Sequence, residues 1–141
     1  MAVSGVKVDD TCLEAYTEIK MGKKLRFVLF KIEDKTNIVV ERKEEKTDGS
    51  TGWDAFVEAV PDAEPRYALI EVDYKTEDGR DQSKLTFVFW SPDDGPVKEK
   101  MLYASTKDTI KKKFTGIMKE VQANDKGDLE YKNILELMLR K

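Results

Sequence analysis

Apolar residues recur along this chain with two different periods. Cys12, Tyr16 and Ile19 stand at helical spacing with Leu13 beside them, and Asp9, Asp10 and Thr11 precede them as side chains able to accept from free backbone N–H groups. Thr11 with Glu14 matches a capping box, so the pattern predicts a helix over 10–21, ended by Gly22. The runs Arg26 to Ile32 and Asn37 to Glu41 are near-continuously apolar or β-branched, and the polar turn at 33–36 makes them a hairpin. Residues 43–52 are charged, then small and polar, and predict a loop. Trp53, Phe56, Val57 and Val60 fall at i, i+3, i+4 and i+7, a short amphipathic helix stopped by Pro61. Arg66 to Tyr74 and Leu85 to Trp90 are two further strands, with Asp78-Gly79 in the turn between them. Ser91 to Pro96 offers aspartates as caps and a proline for the first turn of a long helix that runs to about Phe114. A short strand is expected over 116–122, and Asp128 as the cap of a last helix with Tyr131, Ile134, Leu135 and Met138 on one stripe. Residues 1–8 predict a flexible tail.

Strands that are apolar on both faces need helices on both sides. The expected fold is therefore α/β: a mixed, mainly antiparallel sheet of about five strands sandwiched between helices, in one domain over residues 1–141.

The long helix does not sort its residues onto one apolar and one polar face. Advancing about 100° per residue from Val97 at 0° puts Leu102, Tyr103, Ile110 and Phe114 between about 140° and 260°, the natural core face. Val97, Met101 and Ala104 fall on the opposite side, between about 340° and 40°. Lys100, Lys107 and Lys111 flank this second ridge on one edge, and Lys98 and Lys112 on the other. Two readings fit. Another element of the domain covers Val97 and Met101, or the ridge is a protein-binding anchor whose charged rim steers a partner.

Composition narrows the chemistry. The chain has no histidine, which excludes imidazole acid–base catalysis and His-ligated zinc. Its single cysteine cannot form an intramolecular disulfide and fits a reducing compartment. A net charge of −3 gives no reason to expect nucleic acid as the main partner. No secretory leader and no apolar run of membrane-spanning length is read, and a cytosolic, monomeric, non-enzymatic protein without cofactor or metal is expected. Cys12 reads as a buried helix residue. The stretch Asn124 to Glu130 fails EF-hand spacing and reads as a turn with a cap, and Asp93-Asp94 reads as capping rather than a metal pair. Lys111-Lys112-Lys113 has the composition of a nuclear signal, but a helix face already accounts for it.

The segment Lys100 to Lys112, KMLYASTKDTIKK, resembles the long-helix signature of the actin-depolymerising factor/cofilin family. The resemblance extends through Ser4-Gly5-Val6, Phe27 to Ile32, Pro65 to Ala68 and Phe89 to Asp93, and so spans nearly the whole chain. It implies the ADF-homology, gelsolin-like fold and a protein that binds monomeric and filamentous actin and promotes filament severing and depolymerisation. By that resemblance Ser4, Gly5 and Val6 of the tail, with Lys98, Lys100, Met101, Lys107, Lys111 and Lys112 of the long helix, form the main actin-binding site. A filament-only surface carries over to Arg80, Lys84, Glu136 and Arg140. Ser4 is the implied site of regulatory phosphorylation, and phosphoinositides are an implied second partner of the basic helix face. Gln82 and Leu137 stand where the family often has basic residues. The alternatives are a non-severing actin-binding regulator of the same fold and a phosphoinositide-binding module.

Overall fold

The computed structural model describes residues 6–22, 24–47 and 52–140. In chain order the elements are β1 (Lys7–Val8), α1 (Asp10–Gly22), β2 (Leu25–Glu33), β3 (Asn37–Glu45), α2 (Trp53–Ala59), β4 (Arg66–Lys75), β5 (Asp81–Trp90), α3 (Val97–Lys111), β6 (Lys119–Ala123) and α4 (Tyr131–Leu139), with a 3-10 turn at Lys126–Leu129 before α4. The strands form one sheet in the order β1-β3-β2-β4-β5-β6. The four central strands pair antiparallel, and β1 and β6 join the two edges in parallel.

Alternate residues of a strand point to opposite faces, and both faces of this sheet are sealed. On one, Val28, Phe30, Leu69, Phe87 and Phe89 pack against Cys12, Ile19, Tyr103, Ile110 and Phe114 of the α1 and α3 segments. On the other, Leu29, Ala68, Ile70 and Val88 pack against Trp53, Phe56, Ile134 and Met138 of α2 and α4. The layered fold expected from the two-faced strands is the one observed.

Several boundaries differ, each for a local reason. The expected tail at 1–8 is shorter, because Lys7 and Val8 pair in parallel with Asn37 and Ile38, and Val6 is buried at 2% exposure. That pairing makes the sheet six-stranded rather than five-stranded. Asp9, not Thr11, caps α1: its carboxylate accepts from the Thr11 amide at 3.1 Å and from the Thr11 hydroxyl. The expected loop at 43–52 begins later, because β3 continues to Glu45 against Leu25 of β2. Asp34 and Lys35 both adopt positive φ (53° and 61°), the signature of the tight turn whose twist matches a hairpin. Pro96 occupies the N-cap of α3 and no side chain caps it, so Asp93 and Asp94 do not serve as its caps. Asp128 belongs to the 3-10 turn, where Asp125 accepts its amide at 3.1 Å, and α4 begins at Tyr131.

Candidate functional site

The buried stripe of α3 is Tyr103, Thr106 and Ile110, with Phe114 sealing its C-terminal end and Leu102 half-buried. Two tyrosines key the helix to the sheet. The Tyr103 hydroxyl accepts from the backbone N–H of Ile32 in β2 at 2.8 Å, and the Tyr67 hydroxyl of β4 donates to the Tyr103 carbonyl. Burial pushes both phenols up from their ordinary range, so both hydroxyls stay protonated. Thr106 hydrogen-bonds Tyr67 and is fully buried. The sequence reading missed it as a core residue, although its wheel position at about 180° lies inside the core sector.

With that face committed to the core, the opposite ridge is left in solvent. Val97 is 70% and Met101 66% exposed, and Ala104 is exposed beside them. The reading in which another part of the described domain covers Met101 is therefore excluded. Lys98 and Lys112 are exposed on one flank, with Lys100 half-buried on the other, and none has an ion-pair partner among the described residues. Asp108 sits within the ridge at about 20° on the same wheel and is exposed, an acidic position the sequence reading did not single out.

Lys107 and Lys111 differ from the other lysines. Glu120 of β6 reaches both, with Oε1 at 3.3 Å from Lys107 Nζ and Oε2 at 2.7 Å from Lys111 Nζ. Partial burial alone would push the Glu120 carboxyl up, but the hydrogen bonds and charges of the two lysines outweigh it and hold the group below its ordinary value. The hydrogen bond to Glu120 in turn raises Lys111. Glu120 went unnoticed in the sequence because nothing local marks it.

The N-terminal part of the expected site is only partly in view. Ser4 and Gly5 lie outside the described residues. Val6 is a core residue rather than a surface contact, packed with the α1 and α3 face of the sheet. At 2% exposure Val6 offers a partner little surface of its own.

The filament-only set is mostly gathered in one place. Arg80, Lys84 and Arg140 line an open groove of about 480 Å³, together with Tyr74 and Leu139. Lys84 Nζ donates to the Met138 carbonyl at 2.8 Å near the C-terminal end of α4 and lies 5.6 Å from the Tyr74 ring. Arg80 pairs with Asp78 at 3.0 Å in the β4–β5 turn. Glu136 is exposed on α4 but does not line the groove. Gln82 is exposed on β5, whereas Leu137 is half-buried and packs against the core on the α4 side. Strand β6 connects the two surfaces: Glu120 reaches α3 on one face, while its neighbour Lys119 donates to the Arg140 carbonyl at 3.0 Å on the other.

No cluster of three or more metal-ligating side chains occurs among the described residues. The arrangement on α3 is an exposed apolar ridge on a helix keyed to the sheet, rimmed with positive charge.

Comparison with known proteins gives the family of the chain. The family model for cofilin/tropomyosin-type actin-binding proteins matches residues 5–138. Cofilin of Schizosaccharomyces pombe is 44% identical over 142 aligned positions, covering 100% of both chains. The crystal structure of Streptomyces griseoflavus cofilin superposes with a TM-score of 0.84 at 38% identity, covering 94% of this chain and 96% of that one. The crystal structure of Plasmodium berghei actin depolymerization factor 2 gives 0.87 at 30% identity, covering 94% and 97%.

Proposed function

The chain belongs to the cofilin/ADF family of actin-binding proteins, and from that premise we propose how it acts. It binds actin monomers and filaments through the ridge of α3 and promotes filament severing, depolymerisation and turnover. One observation carries this reading: Val97 and Met101 stand in solvent on a helix whose other face is sealed, ringed by lysines. An apolar knob enters a groove on the partner, and the charged rim speeds encounter with an acidic surface. The work is done by binding, with no covalent step. Co-sedimentation with filaments tests it. The chain should pellet with filaments and raise the monomer left in the supernatant; pelleting without released monomer favours a non-severing binder, and no pelleting at all rejects the reading.

The groove of Arg80, Lys84 and Arg140 supports a second contact, made only on filaments. Gln82 is exposed near it and open to substitution. Gln82→Arg should strengthen filament binding by up to about 1 kcal/mol, in a salt-sensitive way, and leave monomer affinity unchanged. Equal filament affinities for the variant and the parent at low salt would place the contact elsewhere. Leu137→Arg is a poorer probe, because burying an unpaired charge under α4 costs stability.

Ser4 phosphorylation is proposed as the off-switch: about −1.5 to −2 charges are added to a segment expected to share in binding an acidic partner. Indistinguishable actin affinities of phosphorylated and unmodified protein would rule the switch out. The unpaired Lys98, Lys100 and Lys112 also support phosphoinositide binding that competes with actin, measurable as loss of filament pelleting when vesicles containing the lipid are added. No described helix is long and apolar enough to cross a membrane. A cytoplasmic location on the actin cytoskeleton follows from the proposed activity.

The chain should contribute little to any pH dependence near neutrality. It has no histidine, and burial pushes the Cys12 thiol up to about 12. Losses of stability belong to the acid side. Burial alone would raise Asp73, but hydrogen bonds from Ser83 and Arg26 outweigh it and lower the group, as the two lysines do for Glu120. A carboxyl lowered by folding stabilises above its unfolded pKa, and that contribution is lost as pH falls through the lowered folded value. Melting temperature should therefore stay flat between about pH 6.5 and 7.5 and drop below the ordinary carboxyl range near 4. A step in the melting temperature near neutrality, or proton uptake by a side chain of this protein on binding actin, would contradict the assignment.

A further inference from the structure

Among the described residues, Glu120 is the one carboxylate within ion-pair distance of the α3 lysines. Its position is set by the sheet. The parallel pairing of β6 with β5 places Glu120 opposite Phe87, a residue packed on the α1 and α3 face. Lys107 and Lys111 are one helical turn apart on α3, so the two oxygens of one carboxylate span both ammonium groups. The three side chains are only 25% to 37% exposed, and Lys107 Nζ also lies 5.9 Å from the Phe89 ring. These two ammonium groups are therefore drawn to the β6 edge of the helix. Lys98, Lys100 and Lys112 have no ion-pair partner among the described residues.

We propose that Glu120 is a built-in counter-charge of the actin-binding face, holding Lys107 and Lys111 and limiting how strongly the face attracts an acidic partner. The inference rests on the actin-binding reading of α3. The pair of lysines brings two positive charges to that edge, and Glu120 cancels one. Each ammonium has three donors, so its remaining N–H groups can still donate to a partner carboxylate, but only in the directions that Glu120 leaves open. Glu120 is thus a positioning residue, admitting acidic groups that approach from the directions its own carboxylate leaves open and disfavouring those that come along the β6 edge.

The test uses the full chain with Glu120→Gln, which keeps the shape and removes the charge, and Glu120→Asp, which keeps the charge on a shorter arm. The first readout needs no partner. Amine acylation of Lys111 in Glu120→Gln should rise by about twofold or more relative to Lys98 and Lys112, since the hydrogen bond and charge of Glu120 that raise this ammonium are gone. Next, the association rates with monomeric actin and with poly-glutamate should each rise about two- to fivefold at low salt. The gain should vanish at about 1 M salt, where the screening length is about 3 Å. Glu120→Asp should stay near the parent in rate. Faster binding to poly-glutamate with no actin binding by the parent chain would reject the actin reading and leave the counter-charge standing. Unchanged acylation with unchanged rates, or slower association of Glu120→Gln with both partners, overturns the counter-charge while actin binding by the parent stands. A thermal melt shows that every variant compared is folded.

Discussion

Phe114→Ala should lower the unfolding free energy by about 3–5 kcal/mol, the largest effect expected of any substitution considered for this protein. Phe114 follows the last turn of α3, with its backbone N–H bonded to the Lys111 carbonyl at 3.1 Å. Its ring is 2% exposed and lies between three others: Tyr16 of α1 at 5.0 Å, Phe30 of β2 at 5.3 Å and Phe87 of β5 at 6.5 Å. Truncation removes the shared neighbour of a helix and two strands, and the cavity cannot collapse without moving α3. Urea melts of parent and variant measure the change. A loss under about 1 kcal/mol would mean that the site relaxes around the smaller side chain and that α3 is not keyed through its C-terminal end.

Met101→Ala should do the opposite: cost about 2 kcal/mol or more of actin affinity and leave stability within about 0.5 kcal/mol of the parent. Met101 is 66% exposed, so its truncation opens no cavity, and alanine is at least as good a helix former. It stands at the middle of the ridge, where a partner would exclude water most fully. Monomer binding and a thermal melt on the same preparation separate the two quantities. If affinity is unchanged in a folded variant, Met101 is rim and the anchor lies elsewhere on α3. A fall in melting temperature matching the fall in affinity would show instead that the helix face has been assigned the wrong way round.

Together these two substitutions would divide α3 into a face that holds the domain together and a face proposed to meet a partner. The division was legible in the chain, because it depends only on the turn of a helix: Tyr103, Ile110 and Phe114 fall in one sector, Val97 and Met101 in another. The central strands were legible for a similar reason. Phe27 to Phe30, Tyr67 to Ile70 and Phe87 to Trp90 are apolar at successive positions, so both faces of each strand had to be covered. The kind of partner came only from the resemblance of Lys100 to Lys112 to the long-helix signature of the cofilin/ADF family, not from the pattern of residue types.

The sequence by itself therefore determined the layered α/β fold, the core face of α3 and a second apolar ridge opposite it, all set by repeats within one element; that this ridge stands in solvent was decided by the tertiary structure. What only the tertiary structure decided lies between elements far apart in the chain. Lys7 and Val8 become a strand because β3 offers Asn37 and Ile38 an unpaired edge, and β3 runs on through its charged residues because backbone pairing with β2 is indifferent to side chains that point into solvent. Val6 is drawn into the core by the same docking. The groove of Arg80, Lys84 and Arg140 exists because a turn, a strand and a C-terminal helix meet. Glu120 reads in the sequence as one more exposed acid on a short strand. Only the parallel docking of β6 beside β5 brings it to two lysines of α3, because a Coulomb attraction depends on separation in space and not along the chain.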